Sequence, residues 1–213
     1  MIEVVTPDIA FLYRDKLDAM HRLRHRVFKE RMDWDVNSRD GKERDVYDLL
    51  RPIYLLATDE VGRVNGSLRV LPTTGPYMLR DVFPELLEGQ AAPTHPQIWE
   101  ISRLAVEGSG EGAEQRKSVN RVTGEVFAGL VEWALMFGIK EICCVYDVRI
   151  GRLVNLLGLY PKWVSEPRQI GKTVAVAGRY DVSDAVLKAV RDRSGLGETV
   201  LYNRDPLEVQ HAA

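Results

Sequence analysis

The run Ile98-Trp99-Glu100-Ile101-Ser102-Arg103-Leu104 places an acid, a hydroxyl and a guanidinium within four residues of an otherwise apolar stretch. Its β-branched and aromatic content, its period-two alternation and Pro96 just before it predict a strand over 97–106. Strict alternation puts Trp99, Ile101, Arg103 and Ala105 on one face, and Ile98, Glu100, Ser102 and Leu104 on the other. Burying an ion costs several kcal/mol unless it is paired. Such a strand is therefore salt-bridged for structural reasons, built around a polar ligand, or an edge strand whose charges are solvated.

The 213 residues suffice for one domain, and no linker-like segment divides them, so a single domain over 1–213 is expected, with a loose tail from about 204. A hydrophobic fraction of 45% supports a packed core rather than disorder. The net charge of −2 argues against bulk attraction to nucleic acid or an anionic membrane, so any basic function must be a local patch. The start of the chain lacks the basic residues and apolar run of a signal peptide, and no stretch approaches a membrane span. A soluble, cytoplasmic protein is the expectation. Cys143 and Cys144 are adjacent, so a bridge between them would be strained, and they read as core.

Along the chain, a short strand over 2–6 precedes one or two helices over 8–32. That helical region is rich in arginine, but interleaved acids argue for a solvated face over nucleic-acid binding. Arg24 and Phe28 are four apart and share a helix face, where an arginine beside an aromatic can hold a carboxylate or a purine. Residues 33–50 form a long polar segment that nevertheless carries Trp34 and Tyr47. Asp45 and Asp48 lie there. They lack the dense oxygen ladder of a calcium loop, so an organic cation suits them better, with Trp34 available for cation–π contact.

A hairpin over 53–58 and 63–71 follows, with Arg69 inside its second strand and in need of an anion if buried. A short helix over 78–87 is interrupted by Pro84. After the charged strand, the glycines of 107–113 read as a loop, because its glutamates would repel phosphate. A long amphipathic helix over about 114–138, an apolar strand over 139–146, a helix over 149–158, strands over 160–165 and 173–180, a helix over 182–193 and a last strand at 199–202 complete the reading. The histidines show no ligand spacing, so no metal is expected. The element order indicates α/β with a mixed sheet between helices.

The set Arg24, Phe28, Trp34, Asp45, Asp48, Arg69, Glu100 and Arg103 resembles, in type and spacing, the acyl-homoserine lactone synthases, the autoinducer synthases of bacterial quorum sensing. The runs Leu68-Arg69-Val70-Leu71-Pro72, Asp81-Val82-Phe83-Pro84 and Trp99-Glu100-Ile101-Ser102-Arg103 carry the same resemblance. It implies a single-domain α/β/α sandwich with a mostly antiparallel mixed sheet, similar to Gcn5-related N-acetyltransferases. It also implies acyl transfer from acyl carrier protein or coenzyme A to S-adenosylmethionine, releasing 5′-methylthioadenosine.

On that resemblance, Arg24, Phe28, Trp34, Asp45, Asp48 and Arg103 hold S-adenosylmethionine, a substrate rather than a cofactor, with Arg24 or Arg103 on its carboxylate. Glu100, Arg103 and Arg69 are the catalytic candidates. Glu100 is either the general base or the structural partner of an arginine, and Arg69 is expected to pair with Glu100 or Asp48. Cys144, Tyr146, Leu153, Leu157 and Trp163 either line the acyl slot or form core. The absence of Ser and Thr from 139–150 leans toward unsubstituted acyl chains. Arg149, Arg152 and Lys172 are the candidates for docking an acidic carrier protein. Two rivals stand beside this reading: an ordinary acetyltransferase using acetyl-coenzyme A, and a non-catalytic sensor of S-adenosylmethionine or a lipid.

Overall fold

The computed structural model describes residues 1–107 and 121–202. In chain order these form β1 (Ile2–Val5), α1 (Arg14–Arg24), β2 (Ser38–Arg39), β3 (Lys42–Glu43), β4 (Ile53–Thr58), β5 (Val64–Pro72), α2 (Met78–Asp81), β6 (Ile98–Val106), α3 (Arg121–Met136), β7 (Glu141–Asp147), α4 (Val148–Leu156), β8 (Trp163–Val164), β9 (Arg168–Ile170), β10 (Thr173–Asp181) and α5 (Asp184–Ser194). The main sheet runs β1-β4-β5-β6-β7-β10-β8, with β9 also paired to β10. All its pairings are antiparallel except β6 with β7.

Period-two patterning buries both faces of the central strands. On β4, Leu55 and Ala57 join one core with Val126, Leu130 and Trp133 of α3, while Tyr54 and Leu56 join another with Met20 and Leu23 of α1. A third cluster packs Leu79 and Leu86 against Leu71, Cys143 and Ala177. The sheet is thus covered on both sides, as an α/β/α reading requires. Gly129 lets α3 lie directly on β1, since a Cβ there would stand 2.8 Å from Ile2 Cγ1.

The one parallel pairing is short. It runs from Ile98–Glu141 to Ile101–Cys144 and ends. Beyond that point β6 follows β5, β7 follows β10, and the two part. This split opens a passage from the α1 side of the sheet to the α3 side.

Several elements differ from the periodic reading. α1 continues into a π-helical segment, His25–Arg31, where Met32 N–H donates to Val27 O five residues back. The 33–50 segment holds the β2–β3 hairpin and a 3₁₀ turn, Val46–Leu50. The expected helix over 78–87 is two short turns, because Pro84 starts the second. At 199–202 there is a single bridge, Leu201 to Ile2. The expected start of the long helix, most of the 107–113 loop and the tail from 204 lie outside the described residues. No described helix is long and apolar enough to cross a membrane.

Candidate active site

Strand β6 carries one residue more than β5 between Ser102, opposite Arg69, and Ala105, opposite Ser67. Arg103 absorbs it by taking φ of 55°, a left-handed conformation that side-chain-bearing residues rarely adopt. The alternation expected for this strand is therefore wrong past Ser102. Trp99, Ile101 and Leu104 pack on the α3 core, Ala105 joins the α1 core, and Arg103 turns to the face of Glu100 and Ser102. The cost of such a residue is on the order of 1–3 kcal/mol, tolerated where surrounding contacts fix it.

Those contacts come from the 33–50 segment. Asp45 caps the 3₁₀ turn by accepting from the N–H groups of Tyr47 and Asp48, and Asp48 accepts from Asp45 N–H in return. The capped turn presents both carboxylates to arginines. Arg24 donates a fork to Asp48, at 2.8 and 3.0 Å, and its Nε donates to Glu43 at 2.5 Å. Arg69 donates to Asp45 at 2.5 and 3.0 Å, to Asp48 at 3.0 Å and to Ser102 Oγ at 3.1 Å. Arg103 reaches Glu43 at 3.1 Å and Asp45 at 2.7 Å. Tyr54 adds its hydroxyl to Asp48 at 2.6 Å.

Three guanidiniums meet three carboxylates, so the buried cluster balances its charge. Burial raises the Asp48 carboxyl, but the Arg24 hydrogen bonds and the Arg24 and Arg69 charges outweigh it and hold Asp48 below the usual carboxylate range. Asp45 is lowered on the same balance, with Arg69 and Arg103 opposing its burial. Of the three arginines, only Arg103 retains exposure, 15% of its side chain against 1% and 0% for Arg24 and Arg69.

Arg103 stands at the wall of a cavity of about 1270 Å³ that threads the β6–β7 split. On the α1 side the lining includes Phe28, Trp34, Met78, Glu100, Ser102 and Arg103. Phe28 lies between two partners. Trp34 stacks on it at 5.4 Å with rings 5° apart, and the Arg103 guanidinium sits 5.8 Å from its centroid. The expected arginine–phenylalanine contact is thus made by Arg103, not Arg24. Glu100 is 1% exposed, and its two oxygens accept from Met78 N–H at 2.8 Å and Leu79 N–H at 2.6 Å, the first turn of α2. It pairs with neither Arg69 nor Arg103, contrary to one sequence expectation. Burial pushes its pKa up to about 7, against the pull of those N–H groups and the Arg69 charge.

A family model described as autoinducer synthase matches residues 8–190, most of the chain. The chain belongs to the autoinducer synthase family. Among family members, an acyl-homoserine-lactone synthase of Agrobacterium fabrum is 39% identical over 189 residues, covering 89% of this chain and 90% of that protein. A solved CoA-dependent acyl-homoserine lactone synthase, with SAM and isopentyl-CoA, superposes with a TM-score of 0.82 at 28% identity over 97% of this chain and 94% of that one. A putative N-acetyltransferase from Lactobacillus plantarum shares the fold alone, at 14% identity, with a TM-score of 0.53 over 85% of this chain and 99% of that one.

Against this family's expected residues, the structure separates two layers. Phe28, Trp34, Glu100 and Arg103 line the cavity; Arg24, Asp45, Asp48 and Arg69 stand behind it, saturated by one another and by Glu43. The acids therefore grip arginines rather than facing the cavity themselves. On the α3 side Cys144, Tyr146 and Leu153 line the cavity, whereas Leu157 is fully buried core and Trp163 packs on the third cluster. Burial pushes both cysteine thiols up, so neither offers a thiolate near neutral pH. Arg149 is exposed and bound to its own helix cap, Asp147; Arg152 lines a groove beside α4; Lys172 pairs with Asp33 at 2.6 Å.

Glu43, at 0% exposure, was not singled out by sequence. One acid in a polar segment looks solvated. Its spacing two before Asp45 in an extended chain was the available signal, since i and i+2 share a face.

Proposed function

We propose that this chain joins an acyl thioester to S-adenosylmethionine, making an N-acyl-L-homoserine lactone and releasing 5′-methylthioadenosine. The observation that carries the reading is the passage through the β6–β7 split. It joins a wall of aromatics, the open Arg103 guanidinium and the buried Glu100 carboxylate to an apolar chamber under α3. The named activity of the Agrobacterium relative supports it, as does the solved relative with SAM and isopentyl-CoA.

In this reading Arg103 holds the substrate carboxylate, since its two acid partners, Glu43 and Asp45, fix the guanidinium while one side stays open. Trp34 and Phe28 give an aromatic surface to the sulfonium and adenine. Arg24, Arg69, Glu43, Asp45 and Asp48 position Arg103 and the strand that carries it. Glu100, directly or through one water, takes a proton from the substrate ammonium, whose pKa of about 8 is close to its own. The amine nitrogen then bonds to the thioester carbonyl carbon. The C–S bond breaks, and the thiol leaves with the second nitrogen proton. Backbone N–H groups of 103–105, where the bulge takes Arg103 and Leu104 out of register with β5, are proposed to receive the carbonyl oxygen. Last, the substrate's own carboxylate oxygen attacks the carbon beside the sulfonium, closing the lactone and expelling methylthioadenosine. That step needs orientation more than protein chemistry.

S-adenosylmethionine is consumed as a substrate, so the reaction asks for no cofactor. The donor arrives on acyl carrier protein or coenzyme A; for an acidic carrier, Arg149, Arg152 and Lys172 are the proposed contacts. The reaction is proposed to run in the cytoplasm, with the whole chain acting as one catalytic unit. Incubating the chain with S-adenosylmethionine and mixed acyl thioesters, followed by mass spectrometry, tests the reading. Equal amounts of lactone and methylthioadenosine are expected. Acylated product without methylthioadenosine would instead favour an ordinary acetyltransferase.

A further inference from the structure

The apolar chamber and the outer groove beside α4 share one lining residue, Tyr146. The groove, about 620 Å³, is walled by Leu156, Val164 and Val176 among others, so it too is largely apolar. What separates the two spaces is a built contact. Tyr146 stands opposite Val176 on β10, and Tyr180 stands opposite Ile142 on β7, so the two tyrosines flank the Gly178–Cys144 pair on one face, each two residues from it. They lean together over the Gly178–Cys144 pair, with the Tyr180 hydroxyl donating to the Tyr146 hydroxyl at 2.8 Å.

Glycine at 178 is what permits this. A Cβ there would stand 2.9 Å from Tyr180 Cε2 and 3.0 Å from Tyr146 Cε1. From the helix side, a Cβ on Gly151 of α4 would already touch the Tyr146 ring at 3.4 Å. The ring is therefore packed from two sides and pinned by a hydrogen bond at its tip.

We propose that Tyr146, held by Tyr180 across Gly178, is the end wall of the acyl chamber and sets the upper limit on acyl chain length. This rests on the acyl-transfer reading above. A chain shorter than the wall gains contact with each added methylene. The first methylene that meets the wall must displace a packed, hydrogen-bonded ring, which reverses the gain. Beyond the wall lies a ready apolar exit, so shortening the side chain at 146 opens a route rather than a void.

The test uses the full chain with a series of straight-chain donors from butanoyl to hexadecanoyl. Binding is measured with non-hydrolysable acyl-pantetheine thioethers, and turnover with the thioesters. Wild type is expected to lose about tenfold or more in affinity and kcat/KM across one step of length. Tyr146→Ala moves that step by two or more methylenes toward longer chains, while Tyr146→Phe leaves it in place. Leu156→Glu, in the outer groove, leaves wild type unchanged and weakens only the longest donors in the Tyr146→Ala background. A step unmoved in a Tyr146→Ala variant that melts like wild type overturns the proposal, as does a wild type that accepts hexadecanoyl as well as its best donor. Should Tyr146→Ala fail to fold, Tyr146→Leu is read by the same two criteria. Absence of methylthioadenosine with every thioester would defeat the acyl-transfer reading instead, and the binding series would still decide the wall.

Discussion

Glu100 and Arg103 project from the same face of β6 although they are three residues apart. In a regular strand an odd spacing separates side chains to opposite faces. Here the extra residue and the left-handed backbone at Arg103 bring a buried carboxylate and an open guanidinium to one cavity wall. One group is placed to take a proton and the other to hold a carboxylate.

Arg103 is expected to act mainly in binding. Arg103→Ala should raise the KM for S-adenosylmethionine by about 10- to 100-fold, the worth of one charge-assisted contact. Arg103→Lys should recover little, because an ammonium lacks the planar fork that Glu43, Asp45 and a substrate carboxylate share. Steady-state kinetics on both variants check this. An unchanged KM in Arg103→Ala would remove Arg103 from the substrate carboxylate.

For Glu100 the expectation concerns rate and its pH dependence. Wild-type kcat/KM should rise with pH around a midpoint near 7, as the carboxyl ionises. Glu100→Gln should lose about 10²- to 10⁴-fold and flatten that limb. A profile over pH 6 to 9 that keeps wild-type rate and shape would assign Glu100 a purely structural part, tying β6 to α2.

The same group links stability to pH. Because burial raises the Glu100 pKa from 4.5 to about 7, the folded state binds its proton more tightly than the unfolded chain does. The stabilisation is complete below about pH 4.5 and is lost as pH rises through 7, to the extent of ~3 kcal/mol. Urea denaturation at several pH values should show this fall in wild type. Glu100→Gln should abolish it, and a persistent slope in the variant would trace it to another group.

Much of this was legible in sequence, and what was not has specific physical causes. The order of strands and helices along the chain follows from the apolar runs of β4 and β5 and from the apolar stripe of α3, which large buried areas enforce. The pairing of Arg69 with Asp48 was readable because a charge in an apolar strand must find a partner, whereas Arg24, Asp45 and Asp48, expected on the substrate, bind within the cluster instead. The bulge was not, since nothing local in Ser102-Arg103-Leu104 signals an extra residue until the Glu43 and Asp45 carboxylates pull Arg103 across. The π-helical segment after Arg24 is likewise set by tertiary contacts rather than by its own composition. Leu157 and Trp163 have the same character as Leu153, and only packing decides that Leu153 borders the cavity while they do not.

The buried cluster behind the cavity should be intolerant of partial removal. Arg69→Met leaves Asp45 and Asp48 short of their shared cation and is expected to destabilise by about 3–5 kcal/mol. Glu43→Gln should cost less, since the amide oxygen still accepts from one arginine, yet it should raise the KM for S-adenosylmethionine by loosening Arg103. Chemical denaturation of the two variants alongside kinetics separates these effects. A neutral Arg69→Met would mean that the cluster is solvated in solution.

The most direct measurement is a crystal structure of the chain with S-adenosylmethionine and a non-reactive acyl-thioester analogue. The substrate carboxylate is expected on Arg103, its amine within hydrogen-bond reach of Glu100 or one water away, its sulfonium beside Trp34, and the acyl chain through the β6–β7 split. A methionine moiety seated away from Arg103 and Glu100, or an acyl chain that never enters the split, would contradict the account.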